Sequence, residues 1–197
     1  MAEQAFRLGV LESVLKTRLA QKLPGIRKDF PVDVLVGHSK GLAAKLEAGE
    51  LDAVFAIGVL EMPPGIERAR AFAENVMLIY PGAHAAVTSP AGLKGMPLAA
   101  LAEGCAYRKR AIDWFESDGA RPLVIQDQPD YSGVLNAVAD GQGFAAVPES
   151  VLSRFSRKAE IQAGRLQGEG GQVWVELLWR RDAPRAVIER IREAMGF

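Results

Sequence analysis

One stretch in the first third of the chain shows the spacing of a β-strand and then that of a helix. Three valines within residues 32–36 alternate with other side chains, which favours a strand. From Lys40 the apolar residues recur at helical intervals, and Gly49 follows them where a helix would stop. Residues 51–57 are then almost all apolar, as in a strand that is buried on both faces. Residues 31–58 therefore predict a β-α-β unit within a parallel sheet.

Strands and helices also alternate before and after this unit. Residues 6–10 predict a strand, and the helix that follows has a 3.6-residue apolar period until Pro24 and Gly25 kink or end it. Farther along, residues 66–72 and 75–80 each have the spacing of a strand. The chain up to residue 80 therefore predicts an α/β arrangement.

A second α/β block is predicted over residues 104–155. Its strands are expected at 104–107, 122–125 and 143–147, and its helices at 108–119, 130–141 and 148–155. Glycines then interrupt the chain after Ile161, which indicates a loop, and a strand at 173–179 and a helix at 184–195 end the pattern. The fold class expected from the residues alone is α/β, in two successive blocks.

Composition and charge narrow the classes of function. The chain has 197 residues, enough for one large domain or two small ones. It carries 24 basic and 24 acidic residues, so the chain as a whole has no electrostatic footprint for nucleic acid or an anionic membrane. No run of about 18 apolar residues occurs and the first ten residues do not resemble a secretory signal. A cytoplasmic protein is expected, although a chain trimmed of its signal would look the same.

Residues that could support catalysis or metal binding are sparse. Cys105 is the single cysteine, and the two histidines, His38 and His84, are far apart in the sequence. No pair of carboxylates and no Ser/His/Asp set stands out. We therefore expect neither an enzyme nor a metal or cofactor site, and we expect Cys105 to pack in a core strand as a small apolar residue.

Several segments, taken in order, resemble the effector-binding domain of LysR-type transcriptional regulators, which has the type 2 periplasmic-binding-protein fold. They are RLGVLES at 7–13, FPVDVLVGHSKGLAAKLEAGELDAVFAIG at 30–58, PPGIE at 63–67, CAYRKRAIDWF at 105–115 and YSGVLNAVADGQGFAAVPESVL at 131–152. The resemblance implies two Rossmann-like α/β subdomains joined by two crossover strands. Subdomain I would comprise residues 1–73 and 172–197, and subdomain II residues 74–171, with an effector cleft between them.

The resemblance also implies which residues contact the effector. They are Leu11, Glu12, Ser13, His38, Ser39, Tyr107, Arg108, Tyr131 and Ser132. The serines would place hydroxyl groups beside helix N-termini, which favour anions, and Arg108 could hold a carboxylate. Each serine could instead only cap its helix, and Arg108 could be a solvated helix residue. Glu12, if it faces the ligand, would disfavour a plain anion and favour a zwitterion such as an amino acid.

The expected function is that of a sensor without catalytic activity. A small anionic or zwitterionic metabolite would favour one placement of the subdomains, and that change would pass to a DNA-binding domain. This sequence lacks the N-terminal helix-turn-helix of the family, so DNA would be contacted only through such a domain. By analogy we expect a homodimer through the helix at 40–48 and adjacent strands, and a tetramer in a full-length regulator. A solute-binding protein of a transport system, which has the same fold, is the alternative.

Overall fold

A computed structural model of the chain describes residues 5–59, 62–119 and 124–197. The strands are Phe6–Leu11 (β1), Val32–Gly37 (β2), Ala53–Ile57 (β3), Ile66–Pro81 (β4), Leu98–Ala100 (β5), Ile125–Asp127 (β6), Ala145–Pro148 (β7), Ile161–Arg165 (β8) and Gln172–Arg180 (β9). The α-helices are Glu12–Val14 (α1), Leu23–Asp29 (α2), Ser39–Glu47 (α3), Ala106–Ser117 (α4), Tyr131–Ala139 (α5), Glu149–Leu152 (α6) and Arg185–Met195 (α7). A π-helical turn, Leu15–Leu19, extends α1.

The chain divides into two compact units. Unit 1 comprises residues 1–73 and 174–197, and unit 2 comprises residues 74–173. The chain passes from one unit to the other inside β4 and returns inside β9.

Unit 1 contains a mainly parallel sheet in which β1 lies between β2 and β3. The strand β9 adds to β3 in the antiparallel direction. Gly9 in β1 allows close packing, because a Cβ atom there would lie 2.8 Å from side-chain carbons of Leu51 and Val54. All five residues of β3 are buried, as the apolar run predicted. The predicted β-α-β unit with parallel strands is therefore confirmed.

Unit 2 combines antiparallel and parallel pairing. The second half of β4 pairs with β7 and β8, both antiparallel, whereas β5 and β6 pair in parallel. The rings of Phe115 from α4 and Phe144 have centroids 5.0 Å apart, and both side chains are fully buried. The core of this unit thus lies between its strands and α4.

Some predicted boundaries are wrong. The strand expected at 104–107 is the start of helix α4, with Cys105 at the N-cap, and the neighbouring strand is β5 at Leu98–Ala100. The residues at 66–72 and 75–80 form one continuous strand, β4. Pro24 does not end a helix but occupies the first turn of α2, where its missing N–H group costs nothing.

The end of unit 2 holds a further difference. Strand β8 lies at Ile161–Arg165, where its glycine suggested a loop. The strand predicted at 122–125 falls on residues outside the described ranges except for its end, and Ile125 begins β6.

Candidate functional site

Two of the predicted segments meet at one edge of the sheet in unit 1. Strands β1 and β2 are parallel and pair Leu11 with Gly37, so their carboxyl ends lie side by side. Glu12 and Ser13 follow β1 directly, and His38 follows β2. In open α/β sheets this edge is where small ligands bind.

Ser39 links the start of α3 to the end of β3. Its side chain is buried, and its Oγ accepts a hydrogen bond of 3.0 Å from the backbone N–H of Ile57. His38, not Ser39, occupies the N-cap position, and the His38 side chain makes no capping hydrogen bond. The interpretation of Ser39 as a plain N-cap is therefore wrong, and within the described ranges the Ser39 hydroxyl donates no hydrogen bond.

The other two residues of this edge are held locally. Ser13 is buried inside α1, whose N-cap is Leu11, so Ser13 is not a cap either. The carboxylate of Glu12 has a counter-ion, because Lys16 Nζ lies 2.6 Å from its Oε1. The Glu12 side chain is only 16% exposed. The negative charge at this edge is thus already balanced by a lysine.

The corresponding edge of unit 2 holds Arg108. Parallel strands β5 and β6 pair Ala100 with Asp127, and α4 begins shortly after β5. From the first turn of α4, Nη1 of Arg108 donates to the carbonyl oxygen of Leu101 at 3.1 Å and to Oδ1 of Asp127. The Arg108 side chain is 16% exposed, whereas that of Asp127 is 68% exposed. The guanidinium is therefore held against the strand ends by one buried and one solvated partner.

Tyr107 and Tyr131 pack beside this arginine. Both are buried, and their rings meet edge to face with centroids 6.3 Å apart. A cavity of about 10 Å³ lies between them and Cys105. That volume holds about one water molecule at most, so these tyrosines and Cys105 pack closely against one another in the core of unit 2.

Cys105 lies at the N-terminus of α4 and is buried. Burial raises the pKa of its thiol, and this is the dominant effect; the nearby backbone of Arg108 and Tyr107 and the Tyr131 side chain act in the opposite direction. A thiol with a raised pKa is a weak nucleophile at neutral pH. The expectation that Cys105 packs as an apolar residue agrees with its burial, although it does not lie in a strand.

The start of α5 is capped by Asp130. Its Oδ1 accepts a hydrogen bond of 2.9 Å from the backbone N–H of Gly133. Ser132 is the second residue of the helix and is exposed, so it does not cap α5. Of the predicted residues in unit 2, Tyr107, Arg108 and Tyr131 lie together, and Ser132 lies beside them on the surface of α5.

Asp127 was missed by reasoning from the sequence. Its position at the end of a strand is the signal that could have identified it, but the predicted strand stopped at residue 125. A larger groove of about 480 Å³ occurs elsewhere in unit 1, lined by the end of α3, residues 64–66 and residues 180–182. Its Arg180 is already paired with Asp182 through two hydrogen bonds, of 2.9 and 2.6 Å.

Neither a metal site nor a membrane span is found in the described ranges. Among residues 5–59, 62–119 and 124–197, no three His, Cys, Asp or Glu side chains are arranged to hold a metal ion. In the same ranges no helix has the length and hydrophobicity that crossing a bilayer requires.

Two bacterial regulators illustrate the sequence similarity. The HTH-type transcriptional regulator CzcR of Bacillus anthracis is 23% identical over 180 residues, which is 90% of this chain and 60% of that protein. The HTH-type transcriptional regulator GltR of Bacillus subtilis (strain 168) is 18% identical over 179 residues, or 89% of this chain and 60% of that protein. This chain thus spans about 60% of the length of these relatives. They are transcriptional regulators and not enzymes, in agreement with the sequence-based prediction.

Solved structures show the same fold. The effector-binding domain of a BenM variant superposes with a TM-score of 0.78 at 18% identity, covering 98% of this chain and 93% of that one. A full-length OxyR variant from Pseudomonas aeruginosa gives a TM-score of 0.77 at 18% identity, covering 97% of this chain and 68% of that one. The predicted α/β fold of the type 2 periplasmic-binding-protein kind is therefore confirmed.

The family follows from a match along nearly the whole sequence. The family described as LysR substrate binding domain matches residues 2–196. This match includes every segment on which the resemblance was based. The chain therefore belongs to the LysR substrate-binding domain family, the effector-binding domains of LysR-type transcriptional regulators.

Proposed function

We propose that this chain senses a small anionic or zwitterionic metabolite through two groups of side chains, one in each unit. The observation that carries the proposal is the hydrogen bonding of the Arg108 guanidinium. Both of its hydrogen bonds start from Nη1, and within the described ranges Nε and Nη2 make none. Two adjacent N–H groups on one guanidinium match the two oxygens of a carboxylate.

The edge of unit 1 would supply the second group. The Ser39 hydroxyl accepts from the Ile57 N–H and, in the described part of the chain, donates no hydrogen bond, which leaves its hydrogen for a polar atom of the ligand. His38, at the start of α3, is partly exposed. The N-terminal end of α3 also carries the partial positive charge of a helix dipole, which favours negative or polar ligand atoms. We therefore include Leu11–Ser13 and His38–Ser39 with Tyr107, Arg108, Tyr131 and Ser132 as the proposed contact residues.

A ligand would act by favouring one placement of the two units over another, which requires different affinities for the two placements. The contacts along β4 support a short hinge. Phe72 is held within unit 1, where the Arg18 guanidinium lies 4.0 Å from its ring centroid. Glu74 is held within unit 2, where it accepts hydrogen bonds from the N–H and hydroxyl of Ser150 at 3.1 and 2.8 Å. Ala73 is then the residue of β4 at which the backbone can change direction.

The strand β9 has the same arrangement. Trp174 is held within unit 1, with the Arg70 guanidinium 5.0 Å from its ring centroid. Gln172 is held within unit 2, because its Nε2 donates to Oδ1 of Asn75 at 3.3 Å. Val173 lies between these two contacts. We propose that Ala73 and Val173 are the hinge positions of the sensor.

Assembly and location complete the proposal. We propose a homodimer through the helix at 40–48 and adjacent strands, a tetramer in a full-length regulator, and DNA contact only through a helix-turn-helix domain outside this sequence. Strand β2 supports the homodimer, because it lies at the edge of its sheet and exposes Leu35 (42%) and Val36 (47%). An apolar strand edge of this kind favours association with another surface. A cytoplasmic location is part of the same proposal.

A thermal-shift screen of carboxylates and amino acids tests the assignment of Arg108. A ligand at a hundredfold excess over its Kd stabilises the folded chain by about 2.7 kcal/mol. We expect a ligand that stabilises the wild type to lose this effect in Arg108→Gln. Lys109→Gln is the matched control, because Lys109 is on the same helix, is 74% exposed and, in the described part of the chain, pairs only with Asp113. Equal stabilisation of all three proteins would move the site away from Arg108.

A further inference from the structure

We propose that Asp127 makes the Arg108 site selective for ligands that carry a positive charge beside their carboxylate, of which α-amino acids are the simplest class. This inference rests on the proposed function, because it concerns the ligand that Arg108 binds. It narrows the expected class from anions or zwitterions to zwitterions.

The first observation is that the arginine already has a carboxylate partner. Arg108 and Asp127 come from two different elements, the first turn of α4 and the last residue of β6. Their ion pair joins Nη1 to Oδ1. Within the described ranges, Oδ2 of Asp127 accepts no hydrogen bond, and the side chain is 68% exposed. The pair therefore presents free donors on one side and a free anionic acceptor on the other.

The second observation concerns the other positive group at this edge. The N-terminus of α5 would attract an anion, but Asp130 already occupies it by accepting from the Gly133 N–H. The Arg108 guanidinium and the N-terminus of α5 are thus each matched by a carboxylate of the chain itself. Lys109, the next cation along α4, is engaged with Asp113.

These contacts make the binding of a ligand at Arg108 depend on the charges that the ligand carries. A plain carboxylate that approaches Nε and Nη2 of Arg108 meets the like charge of Asp127 close by, which opposes its binding. An amino acid brings an ammonium group next to its carboxylate. The carboxylate can bind Nε and Nη2, and the ammonium can donate to Oδ2 of Asp127. Selectivity then comes from repulsion of the wrong ligand as well as attraction of the right one.

The test uses pairs of probes that differ only by an α-ammonium group. Propionate is compared with L-alanine, and glutarate with L-glutamate, by thermal shift and calorimetry on the 197-residue chain at constant ionic strength. Because Asp127 is largely solvated, the expected change is modest. In Asp127→Asn we expect roughly two- to fivefold tighter binding of the plain carboxylates and a similar weakening for the amino acids. Asp113→Asn is the control, since it removes the same charge from an exposed pair on α4.

The outcomes separate this inference from the function on which it rests. A preference for amino acids in the wild type that is lost in Asp127→Asn and kept in Asp113→Asn supports it. Unchanged preference in Asp127→Asn, including equal lack of response to every probe, overturns it. If Arg108→Gln abolishes binding while Asp127→Asn changes nothing, the proposed site stands and only the selectivity is wrong. If Arg108→Gln and the conservative Arg108→Lys both bind like the wild type, the proposed site itself is wrong.

Discussion

Removal of the Ser39 hydroxyl should destabilise unit 1 through one lost hydrogen bond. Ser39 is 5% exposed, and its Oγ accepts the backbone N–H of Ile57 at 3.0 Å. Ile57 ends β3 and is 4% exposed, so in Ser39→Ala its N–H group has neither the hydroxyl nor bulk water as a partner. A buried donor that loses its partner costs about 1–3 kcal/mol of stability.

This free energy predicts a measurable change in Tm. At roughly 2–4 °C per kcal/mol for chains of this size, Ser39→Ala should lower Tm by roughly 2–12 °C. Circular dichroism during heating of the ligand-free chain measures the shift. Amide hydrogen exchange gives a local readout, because the Ile57 N–H should exchange faster in the variant.

Ser132→Ala is the matched control for this prediction. Ser132 also lies in the first turn of a helix, but it is exposed, so its removal should change stability by less than about 0.5 kcal/mol. Equal Tm values for the two variants, with unchanged exchange at Ile57, would refute the structural role of Ser39. A destabilised Ser39→Ala that binds effector like the wild type would show that this role is its only one.

Two further predictions concern packing and thiol chemistry. Gly9→Ala should destabilise unit 1 by about 1–3 kcal/mol in urea unfolding, because the new Cβ would lie 2.8 Å from side-chain carbons of Leu51 and Val54. Gly41→Ala in α3 is the control: a Cβ there meets nothing within 4 Å, so this change should stabilise the chain by about 0.5–1 kcal/mol. Equal effects of the two substitutions would contradict the packing argument. Because burial raises the pKa of the Cys105 thiol, disulfide-reagent labelling at pH 8 should be much slower in the native chain than in urea, and equal rates would contradict its burial.

The raised pKa of Cys105 also has a consequence for stability with a defined sign. The folded state holds the thiol proton more tightly than the unfolded chain, whose thiol has a pKa of about 8.5. The contribution of this group to stability is therefore complete below that pH and is lost as the pH rises from there through the folded-state pKa. In urea unfolding, the free energy of unfolding of Cys105→Ala should therefore fall less at alkaline pH than that of the wild type.

The elements that could be predicted from the sequence are those whose side chains report their surroundings. Residues 51–57 are apolar because β3 is buried on both faces, and Asp130 caps α5 because its side chain reaches the Gly133 N–H. Strand β5 could not be predicted in this way. Its sequence, Leu-Ala-Ala, has little β propensity, and its strand conformation comes from pairing with β6 and burial in unit 2.

The candidate site shows a similar division. The edge formed by β1 and β2 could be predicted, because a β-α-β unit brings the carboxyl ends of its parallel strands together. The roles of the serines could not, since residue type alone favours Ser39 as an N-cap while the fold uses its hydroxyl to hold β3. Asp127 was missed because its pairing with Arg108 depends on two elements meeting in space.

The ion pairs at the candidate sheet edges of both units indicate how the proposed sensor distinguishes between ligands. In unit 1 the Glu12 carboxylate is paired with Lys16, and in unit 2 the Arg108 guanidinium is paired with Asp127. A ligand that binds there gains little from a net field and must instead place its charges beside ion pairs that are already formed. Each such contact contributes a small net free energy, because it forms at a partly solvated pair. The proposed sensor would then respond to the arrangement of charges on its ligand more than to their sum.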